Sequence, residues 1–316
     1  MNTITLTQYL NLFGSLNQNS NPDWGKAPHK PVLLLAVLDE IERGNIAANF
    51  IELNETLMLA FQYRWQSLVP PKTWKDKIAM PFRFMIHEGF WTLTKNGVLV
   101  STQALGNNPT IRQLTTEVDG AVLDGDLWKL LQDNTALQAL RSHLLQTYFP
   151  QADSADAAQL PANPVDYEIE RLKAEAQSQF RIREVRDFQD SVGYYVRHRL
   201  FPKIIKDIYQ HSCAICALRV QSNDGKTLVE AAHIMPFHLF HNDHPRNGIA
   251  LCQNHHEGFD RGWFTISNRY TVIVSPHLHS VGGYLTANAP IILPDNPDLA
   301  PAPQALKWHR ENGYKA

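Results

Sequence analysis

Cys213-Ala-Ile-Cys216 and, 36 positions later, Cys252-Gln-Asn-His255 are two ligand pairs of the same short spacing. Thiolate and imidazole are the donors that a tetrahedral zinc ion favours, and two short-spaced pairs brought together supply a complete set. The pairs consume every cysteine of the chain, which sets them apart from isolated thiols that merely fill a core. His255 and His256 are adjacent, so either lies near enough to close the set. The repeated spacing assigns the fourth place to His255. Four protein ligands leave no open position, so the expected role is structural. With His255 spent, His233, Asn247 and His256 remain as an ordered trio. A neutral imidazole, with a pKa near ~6.5, can take a proton or hold a metal at neutral pH. His238, His241 and His244 fall between them and are expected to be exposed bystanders, with His238 the only candidate among them for substrate contact.

The trio needs a frame. LVEAAHIM (228–235) has strand character around His233, PRNG (245–248) reads as a turn in which Asn-Gly suits a tight bend, and IALC (249–252) can return as the second strand. QNHHEGFD (253–260) then begins a helix, on which His256 and Asp260 stand one turn apart at i and i+4. The expected product is a β-hairpin plus a helix, pinned at its base by zinc. With this order and spacing, residues 200–275 resemble the HNH (ββα-metal) endonucleases, in the HIxP…NGIALCxxHHxxFDxG form found in modification-dependent restriction enzymes. Phosphodiester hydrolysis requires an activated water and a cation on the phosphoryl oxygens. The resemblance implies His233 as general base, His256 as a ligand of a catalytic Mg2+ or Mn2+, and Asn247 as a brace that orients His233. One position departs from the pattern. Many family members carry Asp or His directly before the base, and here that residue is Ala232. Strand alternation puts Glu230 on the face of position 232, so Glu230 and Asp260 are both candidates for the second ligand.

Nearer the start, WGKAPHKPVLLLAVLD (24–39) and AMPFRFMIHEGFWTL (79–93) resemble the sulfur-binding domains of phosphorothioate-dependent restriction endonucleases. The likeness implies that His29, Lys30 and Pro31 open a helix beside DNA. Met80, Pro81 and Phe82 would form an apolar cup for a non-bridging sulfur, and Arg83 would contact a base or phosphate. Sulfur in place of oxygen makes a soft, poorly hydrated spot that an apolar cup prefers, while Lys30 and a helix N-terminus hold the remaining charge. Met80 stands where the family more often has an aromatic residue.

The remaining sequence sets the organisation. A chain of 316 residues accommodates two domains. Its formal charge of −2 confines any nucleic-acid surface to a local patch. No apolar run reaches the length of a membrane span, and the first residues lack the pattern of a secretion signal. An odd, clustered set of three cysteines beside histidines points to metal in a reducing cytoplasm rather than to disulfides. Helices are expected over 28–44, 51–68 and 126–148, with short strands and a turn over 79–99 that Asn96-Gly97 closes. Residues 150–166 read as a Pro-, Ala- and Asp-rich linker. Residues 167–209 carry long helices with Arg181, Arg183, Arg186, Arg197, Arg199, Lys203 and Lys206, a run suited to DNA phosphates.

The expected fold class is α+β: a mixed α/β reader over 1–148, a linker and helical connector over 149–199, and a zinc-braced nuclease over 200–316. The expected function is a type IV restriction endonuclease acting on phosphorothioate-modified double-stranded DNA. One HNH site cuts one strand, so a homodimer is expected. Two alternatives remain. One is an HNH endonuclease for methylated or hydroxymethylated cytosine, stacked on tryptophans such as Trp65, Trp74 or Trp91, or for unmodified DNA. The other, kept open by Ala232, is a zinc-containing DNA-binding protein without cleavage.

Overall fold

The computed structural model describes residues 5–100, 106–151, 163–178, 180, 192–279 and 283–315. The chain divides into two compact units, residues 1–165 with 189–196, and residues 166–188 with 197–316. No described helix is long and apolar enough to cross a membrane.

The first unit runs α1 (Leu6–Gly14), β1 (Ser20–Asn21), β2 (Gly25–Lys26), α2 (His29–Glu42), α3 (Glu55–Leu68), α4 (Ala79–Phe84), β3 (Trp91–Lys95), β4 (Val98–Leu99), α5 (Ile111–Glu117), β5 (Gly120–Leu123), α6 (Gly125–Leu130) and α7 (Asn134–Tyr148). Helix α2 is its axis. Every residue from Val32 to Leu38 is buried, as an enclosed helix without a polar face requires, and α3, α4 and α7 pack around it. Asp39 is buried within this packing. Arg64 grips it with two bonds of 2.7 Å, from Nε and Nη2, and Arg141 adds a third at 3.1 Å. The antiparallel sheet has the order β4-β3-β5, with Trp91 opposite Leu123. Asn96 and Gly97 take φ of 51° and 74°, the left-handed pair that a tight hairpin turn demands.

One expectation is corrected. Residues 79–84 were expected in a strand region, and they form helix α4, followed by a short 3-10 turn over Met85–Glu88. Pro81 sits in the first turn of α4, where its missing N–H costs nothing. Gly89, at φ 80°, stops the turn, and strand begins only at Trp91. Helical periodicity therefore places Met80, Pro81 and Phe84 on one face and sends Phe82 to another.

The boundary between the units falls within α8 (Pro164–Ser178) and α9 (Val192–Ile208). The second unit continues with β6 (Val229–His233), α10 (Phe237–Phe240), β7 (Gly248–Cys252), α11 (Gln253–Asp260), β8 (Phe264–Ile266), β9 (Val272–Val274) and α12 (Pro303–Asn312). Strands β6 and β7 pair antiparallel from Val229 opposite Cys252 to His233 opposite Gly248. Gly248 is required by close approach rather than by a bend. Its φ is −123°, but a Cβ there would lie 2.3 Å from Cδ1 of Ile205 on α9. Helix α12 packs on β8, so the tail belongs to this unit. Of the basic run, Arg181, Arg183 and Arg186 lie outside the described residues, as do residues 152–162 of the linker. Arg197 is paired with Glu175 at 3.1 Å, while Arg199 and Lys203 are exposed.

Candidate metal centre and active site

Cys213 and Cys216 lie on a tight knuckle after α9. Ala217 takes a left-handed φ of 61°, and the knuckle is tied to β7 by a bond from Ala214 N to Ala250 O of 2.8 Å. Cys252 precedes α11 and His255 lies in its first turn. The four ligand atoms fall within 4.8 Å of one another, the one such cluster among the described residues. His255 Nδ1 is 3.1 Å from Cys252 Sγ and 3.5 Å from Cys213 Sγ, and Cys216 Sγ is 3.9 Å from Cys252 Sγ. Ligands about 2.0–2.3 Å from one tetrahedral ion stand roughly 3.5–3.8 Å apart, so the donors fit such an ion. The carbonyl of Tyr284 accepts from His255 Nε2 at 2.8 Å. This fixes the tautomer that turns a lone pair on Nδ1 towards the thiols. The Tyr284 ring stacks on the imidazole at 4.7 Å.

The same hairpin positions the other histidines. His233 ends β6, its ring stacked on Phe201 of α9 at 3.9 Å and 8°. Its Nε2 lies 2.9 Å from Oδ1 of Asp243. Burial alone would push that carboxyl up. Hydrogen bonds from His198 and His233 outweigh burial and hold it below the ordinary carboxylate range. Asn247 is fully buried. Its Oδ1 accepts from Met235 N at 2.9 Å, and its Nδ2 donates to the carbonyls of Met235 and Asn242 at 3.1 and 3.0 Å. It therefore spans the loop between the strands and touches no solvent.

His256 projects from α11 with Nδ1 2.7 Å from Glu230 Oε2 and Nε2 3.7 Å from Asp260 Oδ2. Asp260 is pushed up by burial, and it lies within electrostatic reach of His256, Glu257, His233 and Glu230. The structure thus gathers His233, His256, Glu230 and Asp260 around one face and keeps Asn247 beneath it. Ala232 is fully buried and contributes no ligand. The residues missed from sequence are Asp243, His198, Phe201 and Tyr284. Asp243 stands ten positions after His233 in a loop, where no periodicity announces the encounter.

In the first unit a cavity of about 640 Å³ opens beside the start of α2. His29, Lys30, Met80 and Pro81 line it. Pro31, Phe82 and Arg83 do not: Phe82 is fully buried, edge-on to Trp91 at 5.2 Å, and Arg83 lies over the Phe84 ring. The reason is the helical turn of α4, which gives the wall to Phe84 in place of Phe82. Trp24 and Trp74, edge-on at 5.8 Å, and Lys75 and Lys77 are also in the lining. Trp24 belongs to the segment 24–39 that carries the resemblance, and Trp74 is one of the tryptophans considered for base stacking, but Lys75 and Lys77 carried no expectation. His29 Nε2 donates to the Lys75 carbonyl at 2.8 Å, and burial, with a smaller push from Lys77, holds its pKa below the ordinary value. Lys30 is ion-paired with Glu88, so its charge is already balanced. Trp65 and Trp91 are both buried in the core.

An antiparallel hairpin, a helix laid across it and histidines from both define a ββα nuclease module. Residues 213–267 match the family model described as HNH endonuclease, and this part of the chain is an HNH nuclease domain. No curated protein matches the chain. Solved structures similar to it include a modification-dependent TagI restriction endonuclease, 24% identical over 35% of this chain and 36% of that one, with a TM-score of 0.29. Another is the sulfur-binding domain of ScoMcrA complexed with phosphorothioated DNA, 20% identical over 47% of this chain and 94% of that one, at 0.37. A third is the type IV phosphorothioation-dependent restriction endonuclease ScoMcrA, 12% identical over 79% and 94%, at 0.34. The chain spans about a third of the length of the TagI structure, and all three scores lie below that of a shared overall fold.

Proposed function

We propose that the chain is a modification-dependent restriction endonuclease of type IV. Residues 1–148 would read the modification, 149–199 connect, and 200–316 hydrolyse double-stranded DNA, with two copies cutting the two strands. The observation that carries the nuclease reading is the convergence of His233, His256, Glu230 and Asp260 on one face of a matched HNH segment. His233 is the general base. Asn247, through its three bonds to the loop backbone, fixes the segment that follows the base. The Cys213, Cys216, Cys252 and His255 set holds a structural zinc ion.

The distances around His256 support different roles for the two candidates for second ligand. Glu230 accepts at 2.7 Å, so the proton sits on Nδ1 and Nε2 carries the lone pair. A metal-bound imidazole characteristically gives its other N–H to a carboxylate, and Glu230 fills that role. Asp260, 3.7 Å from Nε2, is then the co-ligand. This oxygen and nitrogen pair suits a hard divalent cation such as Mg2+ or Mn2+, which would stabilise charge on the phosphoryl oxygens and acidify a bound water.

The support for a phosphorothioate reader is the cavity, where Met80, Pro81 and Phe84 offer an apolar surface beside His29, the paired Lys30 and the cations of Lys75 and Lys77. Poorly hydrated sulfur gains more than oxygen from such a wall. Nicking of phosphorothioated and plain duplexes with Mg2+ or Mn2+ tests both parts. Preference for the phosphorothioated duplex is expected. Equal cutting removes the sulfur reading alone, and no metal-dependent nicking beyond that of His233→Ala leaves a DNA-binding protein. A second reading is favoured by Trp24 and Trp74 in the wall, since aromatic faces accept an extruded base. Duplexes carrying methylated or hydroxymethylated cytosine in the same panel discriminate it.

A further inference from the structure

Resting on the reading of His233 as the base, we infer that Asp243 is the positioning residue that fixes the tautomer and rotation of the His233 ring for proton abstraction. Its side chain is only 4% exposed, yet it lies in a loop and takes part in no helix cap or core salt bridge with lysine or arginine among the described residues. Its carboxylate faces two imidazoles. Oδ1 accepts from His233 Nε2 at 2.9 Å, and Oδ2 accepts from His198 Nδ1 at 3.3 Å. An ionised carboxylate only accepts hydrogen bonds, so the bond to His233 requires the proton on Nε2. The lone pair then resides on Nδ1, which makes no hydrogen bond among the described residues. A free imidazole exchanges its two tautomers, and in one of them Nδ1 has no lone pair to give.

Two constraints act on the ring from different elements. Phe201 on α9, parallel at 3.9 Å, fixes the plane of the imidazole. Asp243, from the loop, fixes its rotation within that plane. Neither constraint alone aims Nδ1. Asp243 also stabilises the imidazolium that forms once the proton has moved from water to Nδ1, because opposite charge at hydrogen-bond distance favours the charged form. Asp260 on α11 lies within electrostatic reach of His233, and also of Glu230 of β6 and of His256 and Glu257 on its own helix. His198 on α9 acts through Asp243. The carboxyl is held ionised by its two imidazole donors against the effect of burial, as this role demands.

The test uses the full chain labelled with 15N-histidine, and nicking of supercoiled plasmid, plain and phosphorothioated, with Mn2+. The His233 signal is assigned by its loss in His233→Ala. Wild-type His233 is expected as the Nε2–H tautomer. Asp243→Asn, nearly isosteric and able to donate to Nε2, is expected to shift it to the Nδ1–H form. It should lower kcat by about 100-fold or more with KM changed less than about threefold, the pattern of a lost orienting carboxylate. A wild-type signal in the Nδ1–H form overturns the inference whatever the variants do. So does an Asp243→Asn enzyme that keeps the wild-type tautomer and a rate within about twofold while His233→Ala is inactive. Wild-type nicking by His233→Ala overturns the reading of the base itself, and the role of Asp243 with it.

Discussion

The histidines of the nuclease unit and those of the N-terminal cavity are held in opposite ways. In the nuclease unit three imidazoles each give one nitrogen to an oxygen acceptor: His233 to Asp243, His256 to Glu230 and His255 to the Tyr284 carbonyl. The second nitrogen of His256 lies near Asp260 and that of His255 near the thiols, while Nδ1 of His233 makes no hydrogen bond among the described residues. In the cavity His29 also donates to a carbonyl, but its ring is packed against Trp65 at 4.7 Å and Trp74 at 5.7 Å. Burial keeps it uncharged, and neighbouring Lys30 has its charge matched by Glu88. On the proposed reading, one region moves a proton and holds cations. The other presents an apolar wall beside an uncharged imidazole and a lysine matched by Glu88, with Lys75 and Lys77 also in its lining, which suits a poorly hydrated group that still carries negative charge.

The metal cluster offers the strongest way to break this contrast. Zinc bound by such a set contributes on the order of 10 kcal/mol to folding. Metal analysis is expected to give one zinc per chain, and Cys252→Ser is expected to abolish it and unfold the nuclease unit in a thermal melt. A Cys252→Ser protein that melts as the wild type does would show that the thiols serve only as core. Next in size is the base. His233→Ala should slow metal-dependent nicking by about 10²- to 10⁴-fold, the usual worth of general acid–base catalysis, while leaving the zinc content and far-UV spectrum unchanged.

The two regions also differ in how far the sequence exposes them. Ligand spacing is dictated by the ion, so Cys213, Cys216, Cys252 and His255 can be read without knowing the fold, and the hairpin and helix between them follow from strand alternation and an i, i+4 pair. Asp243 is hidden because its partner is chosen by the path of a loop, and loops carry no period. The cavity was half legible for a different reason. Met80 and Pro81 were found, but the family resemblance put Phe82 beside them, and the helical turn of α4 puts Phe84 there instead. Trp24 and Trp74 are distant in sequence and share a wall through tertiary packing alone. The Asn247-Gly248 pair looked like turn chemistry. Its glycine answers instead to Ile205 on α9, a contact that no local pattern encodes.

A fourth histidine of the nuclease unit sharpens the contrast from within. His309 on α12 stacks on Phe259 at 3.8 Å and is hydrogen-bonded to Thr265, but it is buried, and burial pushes its pKa down to about 4. Its folded value lies below the unfolded one near ~6.5. Stability from the neutral ring is therefore complete above that pH and is lost as pH falls towards 4. The loss approaches roughly 3 kcal/mol. Unfolding in urea between pH 7 and 4.5 should show this slope, and His309→Phe should flatten it. An unchanged slope would place the acid sensitivity on groups other than His309.

The smallest expected effect bears on what the cavity reads. Met80→Ala and Phe84→Ala each remove part of an apolar wall while leaving the Lys30–Glu88 pair and the nuclease residues in place. Loss of partial apolar contact with one atom of a ligand is worth about 1 kcal/mol, close to a five- to tenfold change in affinity. If the wall prefers sulfur, the loss should fall on phosphorothioated duplex and spare plain duplex, so the ratio of the two dissociation constants is the quantity to measure. An equal loss on both would mean that the wall contacts DNA without distinguishing its phosphates. No loss on either, with weakened binding of duplexes carrying modified cytosine, would assign the same wall to an extruded base, where the tryptophans rather than Met80 decide selectivity.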